Sequence, residues 1–152
     1  MAYSFKLQTL LNYRQTLEEQ AQLKLAKEQQ QLVLQENRLA ELQQRRLRTI
    51  DALEQRKKTV MPASLFTYFM DSLLLAEKAI AQQRESIAAQ KKIIDRLRSE
   101  LVEKMRQRKV IDQLRNRDHA AYLLESLRKE LKENDEQALL ARSDQDSLLR
   151  QH

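Results

Sequence analysis

Residues 73–101 read LLLAEKAIAQQRESIAAQKKIIDRLRSEL, and Leu73, Ile80, Ile87, Ile94 and Leu101 fall seven apart without a miss. That spacing keeps one stripe on one face of a helix, and held over several turns it argues for a coiled-coil seam. Leu97 and Ile111 fit as alternate seam positions. Toward the N-terminus, Leu25, Leu32, Leu39, Leu53 and Val60 repeat the spacing, with Arg46 as the interruption and Leu42 on the companion position. The two series are separated by Pro62, the only proline in 152 residues that include no glycine. Glycine is the usual residue where a backbone must turn with positive φ, so a chain without it has few sharp reversals. The expected fold is all-α: two long helices forming an antiparallel coiled-coil hairpin, with the turn near residues 59–63.

The break is legible in its chemistry. Arg56, Lys57 and Lys58 put positive charge where a helix C-terminus favours it. Pro62 lacks an amide donor and disfavours helix at Met61, and Ser64 offers an N-cap hydroxyl. Helix 1 is expected over about 5–58 and helix 2 over about 64–140, with residues 141–152 a frayed or disordered tail lacking a seam. Folding about residue 63 pairs Leu53 with Leu73, Leu39 with Ile87, Leu32 with Ile94 and Leu25 with Leu101. Arg46 then faces Ile80 and carries its guanidinium outward. A parallel homodimer competes with this arrangement, because heptads do not name their partner.

Composition narrows the function. Apolar residues make up 41%, aromatics 5% and charged residues 33%, which suits a thin seam between helices better than a globular core. There is no cysteine, so disulfides and thiolate metal sites are excluded. The start of the chain lacks the apolar block of a signal peptide, and Leu73-Leu74-Leu75-Ala76 is too short to span a bilayer. His119 and His152 have no metal-ligand spacing, and Asp118-His119 is a neighbour pair without a pocket. Neither an enzyme nor a cofactor is expected. The net charge of +6 is uneven: residues 84–117 carry eleven Lys/Arg against five Asp/Glu, whereas the chain from 118 onward carries five against eight. Nucleic acid is disfavoured as a partner because 84–117 holds no aromatic residue on which a base could stack.

The aromatics lie elsewhere. Phe66, Tyr68 and Phe69 follow the break, and Phe66, Phe69, Met70 and Leu73 share a helical face. They either close the hairpin tip or present a patch to a protein partner. A second cluster, Phe5, Leu7, Leu10, Leu11 and Tyr13, either packs on helix 2 around Ile111 and Leu114 or docks at the open end.

Two segments carry a resemblance. Phe5-x-Leu7-Gln8-x-Leu10-Leu11-x-Tyr13-Arg14 followed by Glu18-Glu19 is similar to the start of the FliJ proteins, small coiled-coil components of the bacterial flagellar type III protein-export apparatus. Tyr68-Phe69 with Glu77-Lys78-Ala79-Ile80-x-Gln82-x-Arg84 resembles the FliJ segment after the turn. The resemblance implies a non-enzymatic, stalk-like coiled coil. Its implied partners are the hexameric flagellar export ATPase, the cytoplasmic domain of the export gate membrane protein, and export chaperones. No specific nucleic acid is implied, and the membrane is met only peripherally, through partners. The implied location is cytoplasmic, at the inner membrane beneath the flagellum. Gate contacts carry over to Leu42, Ala79 and Gln83. Where the family has larger residues, this chain has Arg45, Thr49 and Ser72, and Phe66 or Phe69 substitutes. Contacts to the ATPase ring fall to Phe5, Leu7, Leu11, Tyr13 and Tyr122. The alternatives are a generic cytoplasmic scaffold or holdase chaperone, an injectisome counterpart and, less favoured, a nucleic-acid-binding helical arm.

Overall fold

A computed structural model describes residues 3–151. Among them there are two helices and no strand: α1 (Gln8–Lys57) and α2 (Ala63–Arg150), packed against each other. Both sequences are dominated by strong helix formers, and Pro62 falls outside either helix. By compactness the chain divides into two units. One is Leu17–Lys104; the other joins the described residues up to 16 with those from 105 on.

In the Leu17–Lys104 unit the seam repeats every three and four residues. Leu25, Glu28, Leu32, Gln35, Leu39, Leu42 and Arg46 are half-buried along α1, and Leu53 is buried. On α2, Ile80, Ile87, Ile94 and Leu97 are buried. Each buried leucine or isoleucine stabilises the pair by roughly 1.5–3 kcal/mol. The apolar layers alternate with polar ones. The Gln83 side-chain amide donates to the Gln35 carbonyl at 2.9 Å, and that of Gln90 donates to the Glu28 carbonyl at 3.0 Å.

These contacts correct the sequence register. Pairing about residue 63 requires partner numbers summing to 126, whereas 83 with 35 and 90 with 28 give 118 and 46 with 77 gives 123, all lower. The helices end at Lys57 and begin again at Ala63, so the fold turns about residue 60. The cap also differs from expectation. The Leu65 and Phe66 amides donate to the Pro62 carbonyl at 3.1 and 3.2 Å, which places Pro62 at the N-cap and Ser64 inside the first turn. Proline is suited to this place because its missing amide would have no helical partner there. At the other side of the connection, the Thr59 amide and hydroxyl both donate to the Arg56 carbonyl, at 3.2 and 3.1 Å. No described residue has positive φ, so the reversal is made without a left-handed residue.

In the second unit α1 starts at Gln8 rather than near residue 5. Phe5 and Leu7 precede the helix, and their carbonyls accept from the Gln8 and Leu11 amides at 3.1 and 2.9 Å. Leu11 is completely buried. On α2 the half-buried stripe ends at Arg115. The helix continues past the expected boundary at 140 as far as Arg150, with residues 141–150 all exposed. Ala141, Arg142, Gln145, Leu148 and Leu149 keep helix propensity high there without any tertiary partner.

Candidate functional site

No described helix is long and apolar enough to cross a membrane, and no described group of acidic residues and histidines could hold a metal. The candidate sites are therefore surfaces, and the expected contact residues fall on two of them.

The first surface belongs to Leu17–Lys104. Leu42 and Ala79 are half-buried beside the seam. Gln83 is half-buried too, and its amide is engaged by the Gln35 carbonyl, so its first role is to join the helices. Gln43, Arg46, Glu77, Ile80 and Arg84 line an open cleft of about 510 Å³. Arg46 and Ile80 both line this cleft, and the Arg46 guanidinium reaches Glu77 at 3.4 Å. Both partners stay substantially exposed, so the pair contributes well under 1 kcal/mol. Nearer the turn, Phe69 is half-buried while Phe66 is exposed. Tyr68 is 65% exposed, with its ring 6.0 Å from that of Phe69 in an edge-on arrangement. Thus the face that closes the tip and the face left open are both present. Phe69 packs, and Phe66, Tyr68, Met70, Leu74 and Leu75 remain uncovered.

The second surface belongs to the other unit. Leu11, expected at a ring contact, is 0% exposed and offers no surface to a partner in this conformation. It is the packing centre instead. Phe5 is half-buried, and Leu7, Tyr13 and Tyr122 are exposed. Tyr3, which periodicity does not single out, organises this end. Its ring meets His119 edge-on at 4.7 Å and Tyr122 at 5.2 Å, and its hydroxyl donates to an Asp118 carboxylate oxygen at 2.9 Å. Loss of water contact, then the hydrogen bond and the charge of Asp118, push the Tyr3 hydroxyl pKa above its ordinary value of 10.0; Arg115 opposes the shift. Arg14 donates to the Gln107 amide oxygen at 2.8 Å. Asp112 lies between Arg108 and Arg115, at 3.7 and 2.9 Å.

Contacts of this end with α2 run through Tyr3 and Arg14, both outside the expected N-terminal cluster. Ile111 is half-buried, Leu114 is exposed, and residues 115–122 receive Tyr3. The one available signal was the compact set Arg115, Asp118, His119 and Tyr122, which share a helical face at three- and four-residue spacing. Beyond it, Leu123, Leu124, Leu127 and Leu131 are exposed on α2.

A family model described as flagellar FliJ protein matches residues 3–146. No curated protein and no solved structure matches the chain.

Proposed function

The chain belongs to the FliJ family, which makes it a flagellar export-related protein, and from that premise we propose a non-enzymatic link between two partners of the export apparatus. One partner is the hexameric export ATPase, and the other is the cytoplasmic domain of the export gate. The observation that carries this reading is the division of uncovered apolar side chains between the two compact units. Leu7, Tyr13 and Tyr122 are exposed in one, followed by Leu123 to Leu140 on α2. Phe66, Tyr68 and Met70 are exposed in the other, the unit that also holds Leu42, Ala79 and Gln83. Exposed apolar side chains in clusters are what a protein partner covers.

On this reading residues 3–25 with 105–140 engage the ATPase ring, where Phe5, Leu7, Tyr13 and Tyr122 make contact and Leu11 supports them from beneath. Residues 42–84 engage the gate through Leu42, Ala79, Phe66 and Phe69. Gln83 fixes the helix pair behind that face. Export chaperones are handled in the same cytoplasmic location, and the partners hold the chain at the base of the flagellum.

The test is a paired pull-down with the purified ATPase and the gate's cytoplasmic domain. Deleting residues 1–20 is expected to weaken ATPase capture and spare gate capture. Leu42→Asp with Ala79→Asp is expected to do the reverse. The opposite pattern, or equal loss in both assays at retained helicity, would refute the division of labour.

A further inference from the structure

The connection between the helices carries three basic residues, Arg56, Lys57 and Lys58, to which the protein-contact reading gives no role. From Gln55 to Met70 the sequence is QRKKTVMPASLFTYFM: three basic residues, no acidic residue, three aromatics, two methionines and a valine. Arg56, Lys57 and Lys58 are all exposed. Lys57 has only a loose 3.4 Å contact with Glu54, itself mostly exposed. Val60 is fully exposed, Phe66 and Tyr68 are uncovered, and Met61 is half-buried. Phe69 lies six residues beyond the start of α2, so at 1.5 Å per residue the aromatic group sits within about 9 Å of the helix end. The basic residues occupy the end of α1 and the first residue beyond it.

We infer that this tip docks directly on an anionic lipid surface, with Val60, Phe66 and Tyr68 entering the headgroup boundary and Arg56, Lys57 and Lys58 lying on the lipid phosphates. The geometry matches what an interfacial element needs. An apolar tip buries about 5–10 Å into the headgroup and acyl boundary, which is the depth these side chains span. Tyrosine suits that boundary because its ring is apolar and its hydroxyl stays wet. Basic side chains near an anionic leaflet attract it by about 1 kcal/mol each, a factor of about five in partition per residue. The absence of any carboxylate between Glu54 and Asp71 means that no charge in this stretch opposes the attraction. A protein surface would be recognised by the same aromatics, but a run of one sign whose ion pair with Glu54 is loose and exposed favours a surface of diffuse negative charge. The contact is superficial, since neither helix is apolar enough to cross. It shares Phe66 and Tyr68 with the proposed gate-facing patch, whereas Arg56, Lys57 and Lys58 belong to the lipid contact alone.

Sedimentation of the full chain with lipid vesicles tests the inference. Vesicles of phosphatidylcholine with about one third phosphatidylglycerol should bind at least about ten-fold more protein than phosphatidylcholine alone, and binding should fall as salt rises from about 50 to about 500 mM. Lys57→Gln combined with Lys58→Gln should reduce partition by about 25-fold, from the same factor per residue. Lys91→Gln combined with Lys92→Gln, a matched pair away from the tip, should change it by less than about two-fold. The chain contains no tryptophan, so Tyr68→Trp installs a single reporter. Its emission should shift to the blue on anionic vesicles and be quenched by lipids brominated in the upper acyl chain. Absence of vesicle binding overturns the inference, as does equal binding to neutral vesicles. It is also overturned by an indole emission spectrum that does not move in the Tyr68→Trp variant, or by losses that follow Lys91 and Lys92 as strongly as the tip. If the Lys57 and Lys58 changes abolish capture of the gate's cytoplasmic domain while no vesicle binds, the tip is a protein contact instead.

Discussion

Between Leu17 and Lys104 the helices meet through regularly spaced buried side chains, Ile80, Ile87, Ile94 and Leu97 on α2 against the α1 stripe that ends in Leu53. In the other unit, residues 3–16 meet 105–122 through one fully buried leucine, an arginine–amide bond and a tyrosine held by a carboxylate. The first region is a repeated seam, in which each layer carries a small share. The second is a local clasp, in which a single residue carries much of the apolar burial. Repetition spreads the consequence of a loss along the pair, whereas a clasp confines it.

The largest expected effect breaks the seam. Ile87→Ala should cost about 2–4 kcal/mol, read as a lower thermal midpoint by circular dichroism, because an isoleucine with almost no exposure leaves a cavity that two helices only partly close. Leu11→Ala should cost about 2–3 kcal/mol but act locally. Amide exchange should accelerate in residues 8–16 and 105–122 while residues 25–53 and 73–101 keep their protection. If both variants accelerate exchange throughout, the two regions open as one cooperative unit and the contrast fails.

A smaller and opposite effect probes the polar layers. Gln35 has a buried side-chain oxygen with no hydrogen-bond partner among the described residues, although its backbone carbonyl receives Gln83. Replacing it with leucine should raise stability by about 1 kcal/mol, since an unsatisfied polar atom is removed and an apolar layer is added. Replacing Gln83 with leucine should instead loosen the register, because its amide-to-carbonyl bond to residue 35 distinguishes one alignment from its neighbour a heptad away. Mixed cross-linking patterns between cysteines placed at 28 and 90 would report that slippage.

The smallest effect is at Tyr3. Tyr3→Phe should lower the midpoint by a few degrees at most and leave the Leu17–Lys104 seam unchanged. Its pH dependence has a definite sign. The hydroxyl pKa is raised in the folded chain, so the contribution of this group is fully present below pH 10 and is lost as pH rises through the raised folded value. Wild type should therefore lose stability above pH 10 more steeply than Tyr3→Phe, as seen by alkaline melts. Parallel slopes would show that Tyr3 does not sense Asp118.

Much of the first region was legible because periodicity is a local property. Leu73, Ile80, Ile87 and Ile94 announce a helix face whatever they pack against. The register was not legible, because it depends on where the connection ends, and Pro62 serves as the cap itself rather than standing before a serine cap. The polar layers escaped notice for a related reason. Gln35, Gln83 and Gln90 look like surface residues until a carbonyl on the facing helix is within reach. In the second region Leu10, Leu11 and Tyr13 announced an apolar start but not which of them is hidden. Tyr3 was invisible to pattern reading, because its partners lie more than a hundred positions away. Exposure of Phe66 and Tyr68 beside a packed Phe69 follows from helix geometry only once the seam face is known.

The connection between the helices asks nothing unusual of its backbone: no described residue there takes positive φ, the Thr59 amide donates to the Arg56 carbonyl, and the Pro62 carbonyl opens α2. Most reversals restrict the side chains they accept. Here Lys58 and Val60 are exposed, so a saturation scan of these two positions should show a flat stability profile. Selection acting on these positions is then free to follow what the turn touches, and any intolerance found there would report an interaction rather than a fold.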